Sequence, residues 1–330
     1  METLLEVKNL ETRFKVRSGY VYAVNGVSFS LGKAEMLGVV GESGCGKSVT
    51  MMSLIKLLPP AAQITNGSVK LDGVELTKLS KKDLNAVRGS KVGMIYQDPM
   101  TSLNPFLKIG LQLSEGLVYH KGMSMADALK RSAAYLDMVG ISNSAHRLNE
   151  YPHQLSGGMR QRVMIAMALL SEPGLVIADE PTTALDVTIQ AQIVELVKEL
   201  RKELNTSIIW ITHDLSLLAG MVDRIMVMYG GAIVEEAVRG EIYKDPRHPY
   251  TIGLLNSIPR LSADTGKRLS TIGGAPPNLF MKPTGCPFAP RCRFRMDRCE
   301  KELPVLETVP GAAPDSGHRI ACWADVRDNK

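Results

Sequence analysis

An eight-residue glycine-rich segment is the feature that most constrains this chain. It reads Gly41-Glu42-Ser43-Gly44-Cys45-Gly46-Lys47-Ser48 and fits the pattern G-x-x-x-x-G-K-[ST]. The preceding apolar run, Met36–Val40, predicts a short buried strand, and residues 49–55 predict a helix. A phosphate-binding loop requires this order, because its glycines let backbone N–H groups converge on phosphate oxygens while the helix presents its positive end. The segment therefore predicts a nucleotide-phosphate site rather than a turn that only caps a helix.

The residue types within the loop predict separate tasks. Lys47 is expected to reach the β- and γ-phosphates, and the Ser48 hydroxyl is expected to ligate Mg²⁺. Contacts with the nucleotide are predicted for Gly41, Ser43, Gly44, Cys45, Gly46, Lys47, Ser48 and Val49.

A pair of carboxylates follows a second apolar run. Residues 175–178 read Leu-Val-Ile-Ala, as expected of a central parallel strand buried on both faces, and they end in Asp179 and Glu180. Asp179 stands where a carboxylate would hold the Mg²⁺ shell. Glu180 is predicted to act on the attacking water as general base or positioner. The alternative is a solvated acidic pair at a strand end. The position of this pair shortly after residues 155–162 disfavours that alternative.

That segment, Leu155-Ser156-Gly157-Gly158-Met159-Arg160-Gln161-Arg162, is similar to the signature of ATP-binding cassette (ABC) transporters. In that family the signature opens a helix whose N-terminus contacts the γ-phosphate of ATP held by the opposite subunit. A serine hydroxyl and bare backbone donors at a helix start suit an anion. The resemblance implies nucleotide contacts for Ser156, Gly157, Gly158 and Gln161.

The resemblance also assigns single positions elsewhere. Gln97 matches the glutamine that senses Mg²⁺ and the attacking water, and it opens a segment that touches the membrane partner in transporters. Ala184-Leu185-Asp186 matches the loop that links the two nucleotide sites, and His213 matches the histidine that hydrogen-bonds the γ-phosphate. The resemblance implies an adenine-stacking aromatic near the N-terminus, for which Phe14 is the first choice and Tyr22 the alternative.

The predicted fold class is α/β, with a P-loop nucleoside-triphosphatase core, an antiparallel β subdomain, a helical subdomain and a small irregular metal-binding extension. Residues 1–240 are expected to form the nucleotide-binding domain, with the helical subdomain at about 105–165. Residues 241–330 form the extension, where prolines and glycines become frequent.

Composition limits where the protein works. The chain has 330 residues and a formal charge of +5, which does not indicate nucleic-acid binding. No apolar stretch approaches the ~18 residues that span a bilayer, and no signal peptide is recognisable. We therefore expect a cytoplasmic chain that reaches the membrane through a permease. With one copy of each motif, it supplies half of a two-site motor and pairs with itself or with a homologous subunit.

The extension narrows the resemblance. Arg247-His248-Pro249-Tyr250-Thr251 resembles the start of the C-terminal region in the oligopeptide, dipeptide and nickel branch of importers. That branch implies a motor for di- or oligopeptide uptake, with nickel as the alternative cargo, two transmembrane permeases and an extracytoplasmic solute-binding protein. A soluble ABC-type ATPase acting on nucleic acid or ribosomes is the alternative from another class. Those relatives usually carry two cassettes or long coiled coils, and this chain has one cassette and no sustained heptads.

Four of the five cysteines lie in the last 45 residues, at Cys286, Cys292, Cys299 and Cys322. A reducing cytoplasm disfavours disulfides, and four soft ligands in a proline-rich segment suggest a metal staple. Their spacing, C-x5-C-x6-C-x22-C, lacks the two-residue gaps of common zinc sites and the usual ferredoxin pattern. Some members of the branch carry a [4Fe–4S] cluster in a similar segment, so this cluster is predicted, with Zn²⁺ as the alternative. Four buried reduced thiols remain the metal-free alternative, and the flanking arginines either offset cluster charge or form a basic patch.

Overall fold

The computed structural model describes residues 2–183, 185–258 and 272–329. Contacts group the chain into two compact units. The first unit comprises Met1–Leu4, Leu31–Glu35 and Lys78–Ile211. The second unit comprises Leu5–Ser30, Met36–Thr77 and Thr212–Lys330. The C-terminal extension thus shares a unit with the phosphate loop, and the grouping differs from the division expected near residue 240.

The described strands, numbered along the chain, are β1 Thr3–Val16, β2 Gly19–Gly32, β3 Met36–Val40, β4 Ala62–Leu71, β5 Val74–Glu75, β6 Val92–Ile95, β7 Leu175–Asp179, β8 Ser207–Thr212, β9 Arg224–Tyr229, β10 Ala232–Val238, β11 Glu307–Thr308 and β12 Arg319–Ile320. The described α-helices are α1 Lys47–Leu54, α2 Lys81–Val87, α3 Pro99–Ser102, α4 Ile109–Lys121, α5 Met125–Met138, α6 Ser144–Arg147, α7 Gly157–Leu169, α8 Val187–Leu204, α9 Leu215–Leu218, α10 Arg239–Lys244, α11 Pro249–Asn256 and α12 Asp297–Lys301. Among the residues described, no helix has both the length and the hydrophobicity needed to cross a membrane.

Three parallel strands organise the first unit. β7 pairs with β6 on one side and with β8 on the other, and Asp179 lies opposite Ile211. Residues 175–178 are buried, as are all residues of β8. Continuous apolar runs form such strands because a parallel sheet is covered on both faces, which leaves no polar position until the strand ends. The acidic pair therefore stands at the carboxyl end of a central strand.

The helical part of the first unit is built from α4, α5 and α7. α4 packs against α5, and both contact α7. Buried small polar residues fit this packing, because Ser114 and Ser132 satisfy each other at 3.2 Å between the hydroxyl oxygens. These helices lie between residues 109 and 169.

The second unit contains a mixed sheet and an antiparallel sheet. β3 pairs in parallel with β9, and β9, β10, β12 and β11 continue in antiparallel order. The other sheet has the order β2-β1-β4-β5, and its β1–β4 pair is antiparallel. The antiparallel part of the predicted fold is thus confirmed.

Aromatic side chains join the extension to the sheet of the second unit. The ring of Tyr229, at the end of β9, lies 4.6 Å from that of Tyr250 and 5.1 Å from that of Phe288. All three rings are buried, and such pairs contribute ~0.5–1.5 kcal/mol each beyond their burial. These contacts therefore pack the extension against the sheet of the second unit, although the extension has little regular structure.

Candidate nucleotide site and cysteine group

Close backbone packing shapes the phosphate loop. A Cβ on Gly41 would lie 2.3 Å from the carbonyl oxygen of Met228, and one on Gly46 would lie 2.3 Å from that of Ala23. Gly46 also has a φ of +99° and precedes α1 directly. Only glycine meets both requirements, and without a side chain it leaves the first N–H groups of α1 to be satisfied by an anion. This geometry is that of the predicted phosphate loop.

Lys47 is held by the loop itself. Its Nζ donates to the carbonyl oxygens of Gly41 at 2.7 Å and Glu42 at 3.0 Å, and its side chain is buried. Burial also raises the pKa of the neighbouring Cys45 thiol, which favours its neutral form. Neither a reactive thiol nor a metal ligand is indicated at this position.

Two residues of the extension, Arg291 and Tyr250, contact the phosphate loop. These contacts were not predicted from the sequence. The Arg291 guanidinium binds the Glu42 carboxylate at 2.6 and 2.9 Å, and the Glu42 N–H donates to the Tyr250 hydroxyl at 2.8 Å. The charge of Arg291, one of the arginines that flank the cysteines, is thus paired with Glu42. The only sequence signal was an acidic residue within an anion-binding loop, where an unpaired carboxylate would repel phosphate.

The acidic strand end has an unusual backbone. Asp179 is the last residue of β7, and Glu180 follows with a φ of +46°, in the left-handed region. The Glu180 carboxylate accepts a hydrogen bond from the Thr183 hydroxyl at 3.0 Å, and the Gln97 amide lies 3.5 Å away. The structure thus brings Gln97 and Glu180 together, although they are separated by more than eighty positions in the chain.

The signature-like segment caps α7. The Ser156 hydroxyl accepts a hydrogen bond from the Met159 N–H at 3.3 Å, which makes Ser156 the N-cap, and it is exposed together with Gly157. Because a capping serine uses an acceptor lone pair, its O–H remains a donor for an anion. The helix start is therefore exposed and electropositive, as predicted.

Gln161 lies in α7, in the same segment as Ser156. Its side chain is fully buried, and neither amide atom has a hydrogen-bond partner among the residues that the structure describes. One helical turn separates it from the exposed helix start, so its position turns inward while the N-terminus faces out. The nucleotide contact that the resemblance implies for Gln161 stays a prediction, and in this conformation its side chain is buried.

The remaining predicted residues are spread over both units. Asp186 caps α8 by accepting hydrogen bonds from the N–H groups of Thr188 and Ile189 at 3.1 and 3.0 Å, while Ala184 of the same motif lies outside the described residues. His213 is exposed and follows β8 directly. Phe14 lies in β1 opposite Ala62, half-buried like Tyr22, so burial does not choose between the two aromatics.

The four C-terminal cysteines converge in one part of the extension. The Cys286 N–H donates to the Cys299 carbonyl oxygen at 2.7 Å, and the Cys322 thiol interacts electrostatically with the other three thiols. Burial and these neighbours raise the pKa of Cys322 to about 12, and burial likewise raises those of Cys286 and Cys292. Within the described ranges, no group of three or more His, Cys, Asp or Glu side chains is arranged to hold a metal ion.

Other arginines near the cysteines also have partners. Arg295 pairs with Glu300, and Arg298 pairs with Glu302 at 2.8 Å while its guanidinium lies 4.5 Å from the Trp323 ring. Arg293 lies over the Phe294 ring at 4.7 Å. Exposed pairs of this kind contribute ~0–1 kcal/mol, so they stabilise the surface without marking a charge-compensation site.

Comparison with known families places the chain in a class. The model of the ABC transporter family matches residues 24–183, which include the phosphate loop, the signature-like helix and the acidic strand end. A second family model, the C-terminal region of oligopeptide/dipeptide transporters, matches residues 234–299. The dimeric ATP-binding cassette MJ0796, solved in a post-hydrolysis state with ADP and Pi, has the same fold, with a TM-score of 0.64 at 28% identity over 72% of this chain and 99% of that chain. The protein is an ABC ATPase.

Curated relatives narrow the family further. The dipeptide transport ATP-binding protein DppD of Bacillus subtilis is 50% identical over 98% of this chain and 95% of its own length. The oligopeptide transport ATP-binding protein OppD of Escherichia coli is 51% identical over 94% of this chain and 91% of its own length. The chain therefore belongs to the ABC transporter ATP-binding proteins of the oligopeptide/dipeptide type.

Proposed function

We propose that this protein is the ATP-hydrolysing motor subunit of an importer for dipeptides or oligopeptides. Support comes from the likeness to DppD and OppD, which extends through both the cassette and the C-terminal region. The observation that best supports ATP hydrolysis is the loop at residues 41–48. Its backbone requires glycine at Gly41 and Gly46, and a buried lysine stands at the start of α1.

The proposed chemistry assigns a role to each motif. Lys47 and Ser48 would hold the phosphates and Mg²⁺, Asp179 would supply a further carboxylate to the Mg²⁺ ion, and Glu180 would accept the proton of the attacking water. Gln97 and His213 orient that water and the γ-phosphate. Ser156 and the exposed start of α7 stabilise the γ-phosphate of ATP bound by the other subunit. ATP binding closes the dimer, and hydrolysis reopens it.

The partners follow from the motor role. The chain pairs with itself or with a homologous ATP-binding subunit, lies on the cytoplasmic face of the membrane, and moves two permease subunits that receive peptides from a solute-binding protein. Exposed apolar side chains of the first unit suit a permease contact, among them Met100, Phe106 and Tyr119, which are 62%, 86% and 74% exposed.

A Glu180→Gln variant tests the ATPase assignment. It is expected to bind ATP and dimerise while hydrolysis falls by about 10²–10⁴-fold, because the amide cannot accept the proton. Lys47→Ala, in contrast, is expected to lose ATP binding. Normal turnover by Glu180→Gln, measured by phosphate release, would refute the role of Glu180.

We also propose that Cys286, Cys292, Cys299 and Cys322 hold a [4Fe–4S] cluster, with Zn²⁺ as the alternative. Four thiols that share one region supply the donor set for either group. Burial that raises the pKa of a thiol opposes its ionisation, and a metal cation would reverse this by stabilising the thiolates. The proposed role is structural, since the segment has little regular secondary structure.

Metal analysis and an anaerobic absorbance spectrum distinguish these cases. Iron with a broad band near ~400 nm supports the cluster, and a colourless protein with one zinc per chain supports the alternative. Cys299→Ala should lose the metal, whereas Cys45→Ser, which changes a cysteine outside the group, should keep it. Metal-free wild-type protein purified without oxygen would refute both assignments.

A further inference from the structure

The phosphate loop contains a carboxylate that needs a partner. Glu42 is the second residue of the loop, and its backbone carbonyl accepts a hydrogen bond from Lys47. A negative charge here would repel the triphosphate that the loop is built to bind. Any group that neutralises this carboxylate therefore affects ATP binding without touching ATP.

Arg291 is fixed in place by every donor that it has. Its Nη1 and Nη2 bind the two Glu42 oxygens at 2.6 and 2.9 Å. The remaining donors reach the Tyr229 hydroxyl at 3.2 Å and the carbonyl oxygens of Ile272 and Gly273 at 3.0 and 2.9 Å. Its side chain is only 4% exposed. A buried guanidinium with a bidentate partner and all its donors bonded makes a strong, specific contact, unlike the exposed pairs on the surface of the extension.

Tyr250 adds a second contact from the same side. Its ring is buried against Tyr229, and its hydroxyl oxygen accepts the Glu42 N–H at 2.8 Å. The backbone and the carboxylate of Glu42 are thus both held by the extension. Because Lys47 is bonded to the carbonyl of this residue, the position of Glu42 also influences the position of the lysine ammonium.

We propose that Arg291 is a positioning residue for the phosphate loop. Arg291 increases the affinity of the loop for ATP by neutralising and orienting Glu42. Tyr250 supports it by holding the loop backbone. The C-terminal extension is therefore part of the nucleotide-binding machinery, although it contributes no group that touches the nucleotide. This inference rests on the proposed role of residues 41–48 in binding ATP.

A charge-deletion cycle in the full-length protein tests the proposal. Arg291→Gln leaves the Glu42 charge uncompensated and should weaken binding of Mg²⁺·ATP by roughly tenfold, raising KM with little change in kcat. Arg291→Lys should recover part of the affinity. The double variant Arg291→Gln/Glu42→Gln should bind ATP within about threefold of wild type, because both charges are gone.

The control is Arg295→Gln, which removes an exposed arginine of the same extension that pairs with Glu300. It should leave ATP affinity unchanged. A purely structural role for Arg291 predicts that the double variant binds no better than the single one, and that result would overturn the proposal, as would wild-type affinity in folded Arg291→Gln. If Arg291→Gln does not fold, the ATP affinity of the double variant is compared with that of Glu42→Gln alone. Equal affinities support the proposal, because Arg291 then acts only through the Glu42 charge. Weaker binding by the double variant overturns it.

The role of the phosphate loop in ATP binding and the positioning role of Arg291 can be refuted separately. If Lys47→Ala binds ATP as tightly as wild type, the assignment of the phosphate loop is wrong. If Lys47→Ala loses ATP but Arg291→Gln does not bind more weakly, the loop assignment stands and the positioning role is wrong.

Discussion

Glu180 shows how one residue's backbone separates two adjacent carboxylates. Asp179 still belongs to β7, whereas Glu180 adopts a φ of +46° and bonds to the Thr183 hydroxyl. A left-handed conformation costs a non-glycine residue ~1–2 kcal/mol, and strain of this kind persists where surrounding structure enforces it, often at functional sites. The difference in backbone conformation suits the separate roles proposed for the two carboxylates, one at Mg²⁺ and one at the attacking water.

Gly46→Ala is predicted to unfold the phosphate loop. The new Cβ would collide with the Ala23 carbonyl and would be strained at a φ of +99°. Gly44→Ala is the matched control, because its φ is +79° but its Cβ would meet nothing within 4 Å. The control should cost about 1–2 kcal/mol of stability, and Gly46→Ala should cost more and abolish ATP binding. Chemical unfolding measures the stability of the two variants, and a nucleotide-binding assay measures their affinity for ATP. Equal losses in Gly46→Ala and Gly44→Ala would contradict the steric argument.

His248 predicts a pH dependence of stability. It is buried, its Nδ1 accepts the Tyr250 N–H, and burial lowers its pKa to about 4. The unfolded histidine, with a pKa near ~6.5, takes up its proton first as the pH falls. The free energy of unfolding should therefore have its full value above pH ~6.5 and decrease by up to about 3 kcal/mol towards pH 4.

The comparison that isolates this effect is with His248→Asn, since asparagine can still cap α11 without titrating. Melting temperatures of the two proteins should converge as the pH is lowered from ~6.5 to ~4. Parallel curves would show that another group causes the loss of stability.

At the scale of elements, α7 combines a structural and a functional N-terminus. Ser156→Ala should cost about 1 kcal/mol of stability through loss of the cap, and it should also reduce ATP hydrolysis if the helix start binds phosphate. Ser124→Ala is the control, because Ser124 caps α5 by the same type of hydrogen bond. Thermal unfolding and phosphate release should show similar destabilisation but reduced hydrolysis only for Ser156→Ala. Equal hydrolysis in the two variants would contradict the signature role.

Elements with strong local signals could be predicted from the sequence. The apolar runs at Met36–Val40 and residues 175–178 form buried strands, since such runs suit only strands covered on both faces. The inward position of Gln161 could not be predicted from a motif, because a signature names residue types but not the face that the helix buries. Arg291 was equally hidden, because its partner lies 249 positions away.

At the scale of the whole molecule, the assembly is the main prediction. A tagged chain, purified from its native membranes in mild detergent, should retain two permeases and a second ABC subunit or a second copy of itself. Mass spectrometry identifies these proteins, and peptides eluted from a co-purified binding protein would define the cargo. Recovery with ribosomal proteins or nucleic acid, and no membrane partner, would refute the importer assignment.

Local patterns in the amino-acid sequence were enough to identify an ABC ATPase with a phosphate loop, an acidic strand end, a signature-like helix and four C-terminal cysteines. Short motifs suffice for this because each depends on local backbone geometry and on residue type. Only the tertiary structure decided which distant groups meet. It placed Arg291 and Tyr250 on the phosphate loop and Gln161 in the core, since side-chain contacts between remote segments depend on how the chain packs and not on local pattern.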